Sequence, residues 1–385
     1  MIKIYDFRLI VEKHDTHEKY YPKVISFNTV ADYPLSSPPA ATINVFSPSN
    51  LNNVANVSQI EFDDIVRLQV SERYHRLESY VWEDIFEGRV ENQSKELSDN
   101  YTIALSCKGH IQQAFYKSIP ITLAWSNKDA GVILRDLAIY VDRLDYNTDY
   151  IETGLTVTDY SMQIDKNMVV DAYKEMETLS GYKRMIDVLP VYSTSGNLQI
   201  CHLTWKSLPT IANSRYTIYE YTPRLISASF DVVGEDVANY RHVLGGTDSG
   251  GNQYAGSIGD TDSISLYGRR DQIDTFTWIQ SNSLCTKIAD GLLQGSKLPY
   301  VAGSVVLEGT SSAQVGDLVT VKIPSLEVKG IEIDGNYTVY RVARTLSSNG
   351  YQTTLDLGRI KKTAYDYIAQ NLTSVIMTCY KNQVK

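Results

Sequence analysis

Two pairs of adjacent carboxylates are the residues of this sequence best suited to acid–base chemistry: Asp63-Asp64 and Glu83-Asp84. A glycoside hydrolase uses two carboxyl groups, one as general acid and the other as base or nucleophile. Asp64, however, has a counterpart in Asp317, and both residues stand just before a run of β-forming residues. A turn-forming role explains both Asp64 and Asp317. We therefore predict no catalytic site at either pair.

Histidine and cysteine are too sparse to favour nucleophilic or metal chemistry. The chain has six histidines and four cysteines, and the closest histidines, His14 and His17, lie in a polar segment that is more typical of a solvated loop than of a metal site. Cys201 and His202 are adjacent on a predicted strand, where side chains point to opposite faces. This is poor geometry for a nucleophile and its base. The scattered cysteines, Cys107 among them, are predicted to be free buried thiols.

Phosphate binding is the remaining chemistry to consider. The glycine-rich segment 244–262 has neither of the two phosphate-loop spacings, and no lysine follows its glycines. It predicts a long surface loop. Arg269 and Arg270 could pair with a carboxylate or a phosphate, but a salt bridge between subunits explains them equally well. We therefore predict no catalytic residue, no metal ligand, no cofactor and no enzyme.

Bulk composition limits the class of protein. The chain has 385 residues, of which 43% are hydrophobic and 21% charged, and this predicts a folded protein of two to four domains. A net charge of −9 without a basic block argues against a dedicated nucleic-acid binder. No apolar run is long enough to predict a membrane span. The amino-terminal residues lack signal-peptide features, so we expect synthesis in a bacterial cytoplasm.

Residues 314–358 predict three short antiparallel strands separated by turns rich in Gly, Asp and Asn. Residues 61–107 show the same order about 250 positions earlier. In this alignment Asp64 matches Asp317, and the other matches are Arg89-Val90 with Arg341-Val342 and Tyr101 with Tyr351. Any two β-meanders share some features, but the common order and spacing favour an internal duplication of a small barrel or sheet.

The rest of the chain predicts a mainly β protein with a smaller α+β part. Amphipathic helices are expected at 130–144, 167–180 and 283–294, and further strands at 2–11, 23–28, 41–46, 198–203, 224–233, 264–270 and 300–309. Four parts follow from this order: a first β-barrel domain at 1–117, an α+β insertion at 118–207, a second β-barrel domain at 208–362 and a C-terminal arm at 363–385.

Several weak motifs recur in a characteristic order. They are the strand Ala-Thr-Ile-Asn-Val at 41–45, Asp-Asp-Ile-Val at 63–66, Phe-Glu-Gly-Arg-Val at 86–90, Val-Val-Asp-Ala-Tyr at 169–173, Ser-Gly-Asn-Leu at 195–198, Tyr-Gly-Arg at 267–269 and Val-Gly-Asp-Leu-Val at 315–319. This order resembles the tail-hub family of tailed bacteriophages and phage-derived injection particles. The family includes the central baseplate hub of contractile tails and the N-terminal hub region of tail-associated proteins in long non-contractile tails. The chain departs from the pattern at Phe62-Asp63-Asp64, where the second copy has Val315-Gly316-Asp317.

The resemblance implies a structural function. In this family two duplicated barrel domains flank an α+β insertion, and three chains close into a ring with six quasi-equivalent faces. Such a ring joins a sixfold tail tube or distal tail protein above to a threefold spike or fibre below. DNA or a tape-measure protein passes through its lumen without specific binding. The expected location is the tail tip or baseplate of the virion.

Two other classes of function stay open from the residues alone. A carbohydrate- or receptor-binding β-module is favoured by the 28 tyrosines, and by the four tryptophans if several are exposed together: Trp82, Trp125, Trp205 and Trp278. A polysaccharide hydrolase would need the carboxylates at 63, 64, 83 or 84 to meet in a cleft.

Overall fold

The computed structural model describes residues 4–46, 60–73, 79–96, 102–162, 168–180, 184–209, 217–222, 224–234, 237–248, 250–276, 281–309, 313–326 and 333–358. The predicted C-terminal arm, Cys379, Tyr101 and Trp278 lie outside them. In the described residues no helix is long and apolar enough to cross a membrane.

Seven strands form the first part of the chain: β1 (Ile4–Glu12), β2 (Lys19–Tyr20), β3 (Lys23–Asp32), β4 (Ala40–Phe46), β5 (Ile65–Arg73), β6 (Glu83–Glu96) and β7 (Thr102–Lys108). Alternation of apolar and polar residues builds them. In β4, Ala41, Ile43 and Val45 are buried while Thr42 is exposed. The buried faces pack together in one core, which includes Leu9, Leu68 and Leu105. The strands predicted at 2–11, 23–28 and 41–46 are confirmed.

A helical and β segment follows, with a core of its own. Its elements are α1 (Gln112–Tyr116), β8 (Leu123–Asp129), α2 (Ala130–Ala138), β9 (Leu144–Ile151), β10 (Thr156–Met162), α3 (Val169–Leu179), β11 (Arg184–Tyr192) and β12 (Leu198–Ser207). Trp205 and Tyr173 are fully buried in this core, together with the apolar face of α2. β8 pairs with β10, and β12 lies between β9 and β11.

The predicted helix 130–144 is too long. α2 starts where predicted, because the Asp129 carboxylate accepts the Gly131 backbone N–H at 2.8 Å as an N-cap. It ends at Ala138. Arg143 has φ = 64°, a left-handed conformation that cannot continue a helix, and Leu144 already belongs to β9. The pairing of β9 with β12 therefore determines where the helix must stop.

The last part returns to β-structure. It contains β13 (Thr217–Tyr219), β14 (Leu225–Val233), β15 (Tyr240–Thr247), β16 (Gln253–Gly259), α4 (Thr261–Tyr267), β17 (Asp271–Thr275), α5 (Asn282–Ser296), β18 (Tyr300–Glu308), β19 (Leu318–Lys322), β20 (Gly335–Ser347) and β21 (Gly350–Gly358). The helix predicted at 283–294 and the strands at 224–233 and 300–309 are confirmed. The strand predicted at 264–270 is wrong, since most of that segment is α4.

The prediction of a surface loop at 244–262 is also wrong. β15 and β16 form a hairpin there, joined by a turn in which the Asp248 carboxylate accepts the Gly250 and Asn252 backbone N–H groups at 2.8 Å. Gly256 lies against α5, and a Cβ on it would stand 2.3 Å from the backbone nitrogen of Thr286. The lack of a side chain at Gly256 lets α5 pack closely on β16, so this glycine does not indicate flexibility.

One large sheet unites the first and last parts of the chain. Its 13 strands run in the order β14-β18-β21-β20-β3-β4-β7-β6-β5-β1-β2, and β19 pairs with both β20 and β13. β3 and β20 pair antiparallel from Phe27–Leu346 to Asp32–Arg341, and this is where the two parts join. Among the described strands the pairing does not close a barrel in either part.

The same five-strand order occurs twice in this sheet. In the first part the order is β3-β4-β7-β6-β5, and in the last part it is β14-β18-β21-β20-β19. All four neighbouring pairs are antiparallel in each set. The connections differ, because a short segment joins β3 to β4, whereas β15–β17, α4 and α5 separate β14 from β18.

Two β-bulges in each set fall at equivalent places, while a third, between Leu68 and Gln69 in the β5–β6 pair, occurs only in the first set. β6 shifts register against β7 between Val90 and Asn92, and β20 shifts against β21 between Val339 and Arg341. β3 shifts against β4 between Val24 and Ser26, and β14 shifts against β18 between Leu225 and Ser227. A bulge bends a strand and fixes its register, so the two sets share local geometry as well as strand order.

The turns that precede β5 and β19 are also alike. The Asp64 carboxylate accepts the Glu61 N–H at 2.9 Å, and the Asp317 carboxylate accepts the Gln314 N–H at 2.7 Å. Val90 and Val339 each donate a backbone N–H to these aspartates' carbonyls, both at 2.9 Å. The match of Asp64 with Asp317 is therefore confirmed. The match of Arg89-Val90 with Arg341-Val342 is wrong, because the hydrogen bonds align Val90 with Val339.

Gly316 allows a direct test of packing at the second of these turns. Its φ of 86° disfavours any side chain, and a Cβ would stand 2.7 Å from the Met185 sulfur. Gly251 has a similar φ of 85°, but nothing lies within 4 Å of its would-be Cβ. We expect Gly316→Ala to lower the free energy of unfolding by roughly 1–3 kcal/mol more than Gly251→Ala. Chemical denaturation measures both, and equal losses would show that Met185 is not tightly packed there.

Candidate functional site

The carboxylates that sequence analysis singled out at 63 and 64 do not form a reactive pair. Asp64 is fully buried, and its carboxylate contacts Lys13 Nζ at 3.3 Å as well as the Glu61 N–H. Asp63 contacts the guanidinium groups of Arg89 and Arg143. Each carboxylate is therefore paired with its own cations, and Asp64 also accepts a backbone N–H, which is the role of a structural turn.

Glu83 and Asp84 are likewise no catalytic pair. Asp84 accepts Arg67 Nε at 2.6 Å and Gln69 Nε2 at 2.7 Å, whereas Glu83 is exposed. The sequence did not single out Glu87, whose carboxylate lies 3.1 Å from Arg67 Nε. Burial, with a contribution from Asp84, raises the pKa of Glu87 to about 7. A carboxyl group with this pKa is a functional candidate by electrostatics, but its neighbours belong to an ion-pair network.

The histidines and cysteines have structural surroundings. His17 Nδ1 lies 2.7 Å from Glu12, and His14 Nδ1 lies 3.3 Å from Asp64, so the two imidazoles face different carboxylates. Cys201 is buried in the core, and burial raises the pKa of its thiol to about 12. In the described parts of the chain, no group of three or more His, Cys, Asp or Glu could hold a metal ion.

The two arginines at 269 and 270 have partners within the chain. Arg269 Nη2 lies 2.9 Å from Asp271, and its guanidinium stands 3.8 Å from the centre of the Tyr240 ring. Arg270 donates to the Gly234 carbonyl at 2.5 Å. Both arginines thus have partners within one chain, which is an alternative to the salt bridge between subunits that the sequence suggested.

The tryptophans do not form a shared exposed platform among the described residues. Trp125 and Trp205 are buried, and Trp125 Nε1 donates to Asp136 at 3.0 Å. Trp82 is half-buried and stacks on Tyr80 and the guanidinium of Arg8. A carbohydrate-binding module would expose several tryptophans together, and these three residues do not do so.

A cavity of about 500 Å³ lies where the first part, the insertion and the last part meet. Its walls come from β3, β6, β11 and β20 and from the turns at Gly109 and Gly316. His110 lines it with 9% of its surface exposed, and neither ring nitrogen has a hydrogen-bond partner among the described residues. Burial and the nearby Arg89 lower the pKa of His110 to about 3, so its imidazole is neutral.

Two strand edges, one on β14 and one on β6, have no partner strand in the described fold. β14 pairs with β18 on one side, and its other edge is unpaired in the described part of the chain. β6 pairs with β5 only as far as Arg89, so its last residues have β7 on one side and no partner strand on the other among the described residues. Exposed edges of this kind recruit further strands. Sequence patterns cannot reveal them, because they depend on which strands pair.

The join of β3 with β20 shows how such an edge is filled. Six residues of each strand pair in register. Side chains support the backbone ladder, since Arg341 Nε lies 3.5 Å from Asp32 and Thr345 Oγ1 donates to Asn28 Oδ1 at 3.1 Å. The pairing is thus a strand addition between the two halves of the chain, supported by polar contacts on its surface.

Two buried carboxylates tie the insertion to the first part. Glu177 of α3 accepts the Leu35 N–H at 2.8 Å and the Ile186 N–H at 2.9 Å. Glu12 of β1 accepts the Leu198 N–H at 3.2 Å. Burial raises the pKa of Glu177 to about 7, against the opposing effect of its two backbone donors. These contacts fix the insertion beside the sheet.

The raised pKa of Glu177 predicts a pH dependence of stability. Because the folded pKa exceeds the unfolded value, the contribution of this group is complete at low pH and is lost as the pH rises from about 4.5 to about 7. We expect the loss to be on the order of 3 kcal/mol, and Glu177→Gln should remove it. Glu175→Gln, on the exposed face of the same helix, is the control. Denaturation at pH 4.5 and pH 7.5 tests this, and an unchanged pH slope in Glu177→Gln would contradict it.

No protein-family model matches the chain, and no curated protein sequence matches it. Solved structures do. A tail protein from Neisseria meningitidis MC58 is 11% identical and superimposes with a TM-score of 0.60, over 94% of this chain and 99% of that one. The 43 kDa tail protein of prophage MuSo2 from Shewanella oneidensis has 12% identity and a TM-score of 0.56, over 93% and 99%.

A third match is the prophage tail protein gp18 from Listeria monocytogenes EGD-e, with 14% identity and a TM-score of 0.51 over 96% of this chain and 99% of that one. At such low identities the matches establish the fold. They span nearly all of both chains, so the whole architecture is shared, including the insertion. The resemblance seen in the ordered motifs agrees with this result: the chain has the fold of these phage tail proteins.

Proposed function

We propose that this chain is a structural hub protein at the tail tip or baseplate of a bacteriophage or phage-like injection particle. Three copies form a ring, and each copy supplies two quasi-equivalent five-strand units. The single observation that carries the proposal is the five-strand order that occurs twice with matching register and two matching bulges. A chain that contains one unit twice presents six similar faces when three copies assemble.

The repeated unit matches the mechanical task of a hub. A tail tube is sixfold, and a central spike or fibre is threefold, so a connecting ring must satisfy both symmetries. Two copies of one unit in each of three chains do this: the similar faces bind the tube or distal tail protein, and the differences between the units bind the spike or fibre. The segment between β14 and β18, which contains β15–β17, α4 and α5, is one such difference, since the first unit has only a short connection between β3 and β4.

The division into domains supports the same arrangement. We assign 1–117 and 208–362 to the two units, 118–207 to the insertion and 363–385 to a C-terminal arm. Separate cores accompany the first three assignments. One core is built mainly from β1 to β7, with Tyr351 of β21. A second combines residues of the insertion with four residues of the first unit, Leu35, Ile65, Ile111 and Ala114. A third is built from β18 to β21 and their neighbours.

We assign the lumen of the ring to the sheet face opposite the cores. In the first unit this face carries small polar side chains such as Ser26, Thr42 and Ser106. In the second unit the equivalent positions are Ser227, Ser304 and Asp356. None of these six groups can form an ion pair with phosphate, and Arg341 on the same face lies beside Asp32 and Asp356, so DNA or a tape-measure protein would meet a hydrated surface that binds neither tightly. The negative net charge of the chain also opposes DNA binding.

A non-enzymatic role agrees with the surroundings of the acidic residues. Asp63, Asp64 and Asp84 are each held by arginine or lysine and by nearby hydrogen-bond donors, and the carboxyl group of Glu87 belongs to one of these networks. A glycosidase needs a proton donor and a second carboxylate that both face an open cleft. The virion tail is the location that this role implies.

The proposal predicts the size and shape of the assembly. We expect light scattering behind a sizing column to give the mass of three chains, and negative-stain images to show rings with a central hole. If the ring needs its neighbours, the same mass should appear after addition of the tube and spike proteins of the same particle. A monodisperse monomer both alone and with these proteins would contradict a trimeric hub.

A further inference from the structure

We infer that the open edge of β14 in one copy pairs antiparallel with the last residues of β6 in the next copy, in the register that β3 and β20 use within one chain. The inference rests on the proposed ring and identifies the seam that closes it. The partner is a second copy of this chain.

The first correspondence links β14 to β3. Thr29 pairs with Ala41, which pairs with Cys107. Phe230 pairs with Gly303, which pairs with Leu357. Cys107 and Leu357 are equivalent, because they stand opposite Val90 and Val339, the valines just before the matching bulges. Thr29 therefore corresponds to Phe230, and Val30 to Asp231.

The second correspondence links β6 to β20. Beyond the bulge, Asn92 pairs with Ser106 in the first unit, and Arg341 pairs with Asp356 in the second. Asn92 therefore corresponds to Arg341, and Ser94 corresponds to Ala343. Both strands continue past the bulge with one neighbour already in place, which is β7 for β6 and β21 for β20.

The register of the seam follows from these two correspondences. Within one chain Val30 of β3 lies opposite Ala343 of β20, and Ala31 lies opposite Val342. The equivalent residues are Asp231 and Ser94, and Val232 and Gln93. We therefore place Ser94 of one copy opposite Asp231 of the next, with Gln93 opposite Val232.

Both edges have the properties of surfaces that a strand covers. Ser94 and Asp231 are exposed in the single chain, and Ile226 near the start of β14 is 50% exposed. Gln93 Oε1 is buried but has no hydrogen-bond partner in the described part of the chain. β14 (LISASFDVV) has no proline or lysine, the residues that usually protect an edge from pairing, whereas the last residues of β6 (ENQSKE) include one lysine, Lys95. An unprotected edge of nine residues is the feature expected of an assembly surface.

The same geometry explains why the assembly closes. β3 meets β20 inside one chain, and β14 meets β6 between chains, so each copy offers one edge and receives the other. This is a heterologous contact, and it forms a ring when its rotation divides a full turn. If the two kinds of seam are equivalent, a ring of three chains contains six seams, in which the three within chains alternate with the three between chains.

Cysteine cross-linking tests the seam. Co-expressed Ser94→Cys and Asp231→Cys chains, each with one added cysteine, can join these positions only between copies. We expect a disulfide-linked dimer under mild oxidation, and peptide mass spectrometry should identify the 94–231 link. The double variant Ser94→Cys/Asp231→Cys in one chain should extend this to dimers and trimers. The out-of-register mixture of Ser94→Cys with Ser229→Cys should cross-link at least about tenfold less, because a disulfide requires Cα atoms within about 7 Å.

The intrachain seam supplies the matched control. Val30→Cys/Ala343→Cys joins the equivalent positions and should give an internal link with no change in chain mass. The unmodified chain controls for its native cysteines. A three-chain mass without the 94–231 link, when the Val30–Ala343 link forms, would overturn the seam and leave the hub standing. A monomer with no link between chains, with or without the neighbouring tail proteins, would overturn both.

Discussion

The backbone pairing of β3 with β20 is the interaction on which the rest of the structure depends. These strands lie more than 300 residues apart in sequence, and their hydrogen bonds convert two five-strand sets into parts of one sheet. Strand edges present unpaired N–H and C=O groups that a fold must pair, cover or protect. This chain pairs the edges of β3 and β20 with each other. The equivalent edges, those of β14 and of the last residues of β6, have no partner among the described strands. The constraint that joins its halves is thus also the one that favours assembly with further copies.

The attachment of the insertion to this sheet combines apolar and polar contacts. Leu35 and Ile65 contribute to the core of the insertion, and the carboxylates of Glu12 and Glu177 accept backbone N–H groups across the boundary. Buried acceptors of this kind require exact donors, so they orient the insertion more strictly than apolar contact would. The cavity beside His110 lies at the same three-way junction, where three separately packed cores do not fill all the space between them. The carboxylates that suggested acid–base chemistry in the sequence, at 63, 64 and 84, form structural ion pairs and hydrogen bonds.

Much of the fold could be predicted from the residues, because strand alternation and amphipathic helices are local signals. The match of Asp64 with Asp317 was also accessible, since each aspartate accepts a hydrogen bond from the residue three positions earlier. Long-range pairing was not accessible. Similar spacing aligned Arg89 with Arg341, whereas the backbone aligns Val90 with Val339, because the connection between the first two strands differs in length. Gly256 suggested a loop for a comparable reason: only its tertiary neighbour α5 shows that the glycine makes room for a helix. The open edges of the candidate assembly surface have no sequence signature at all.

The central claim is that the two five-strand sets are quasi-equivalent in the assembled particle. The most direct measurement is an electron cryo-microscopy reconstruction of the assembly in which only threefold symmetry is imposed. We expect the sheet density to superimpose on itself after a rotation of 60°, with β14 of one copy continuous with β6 of the next, while the insertions obey threefold symmetry alone. A reconstruction in which the two sets occupy different radii or orientations, so that the 60° rotation leaves no overlap, would contradict the account.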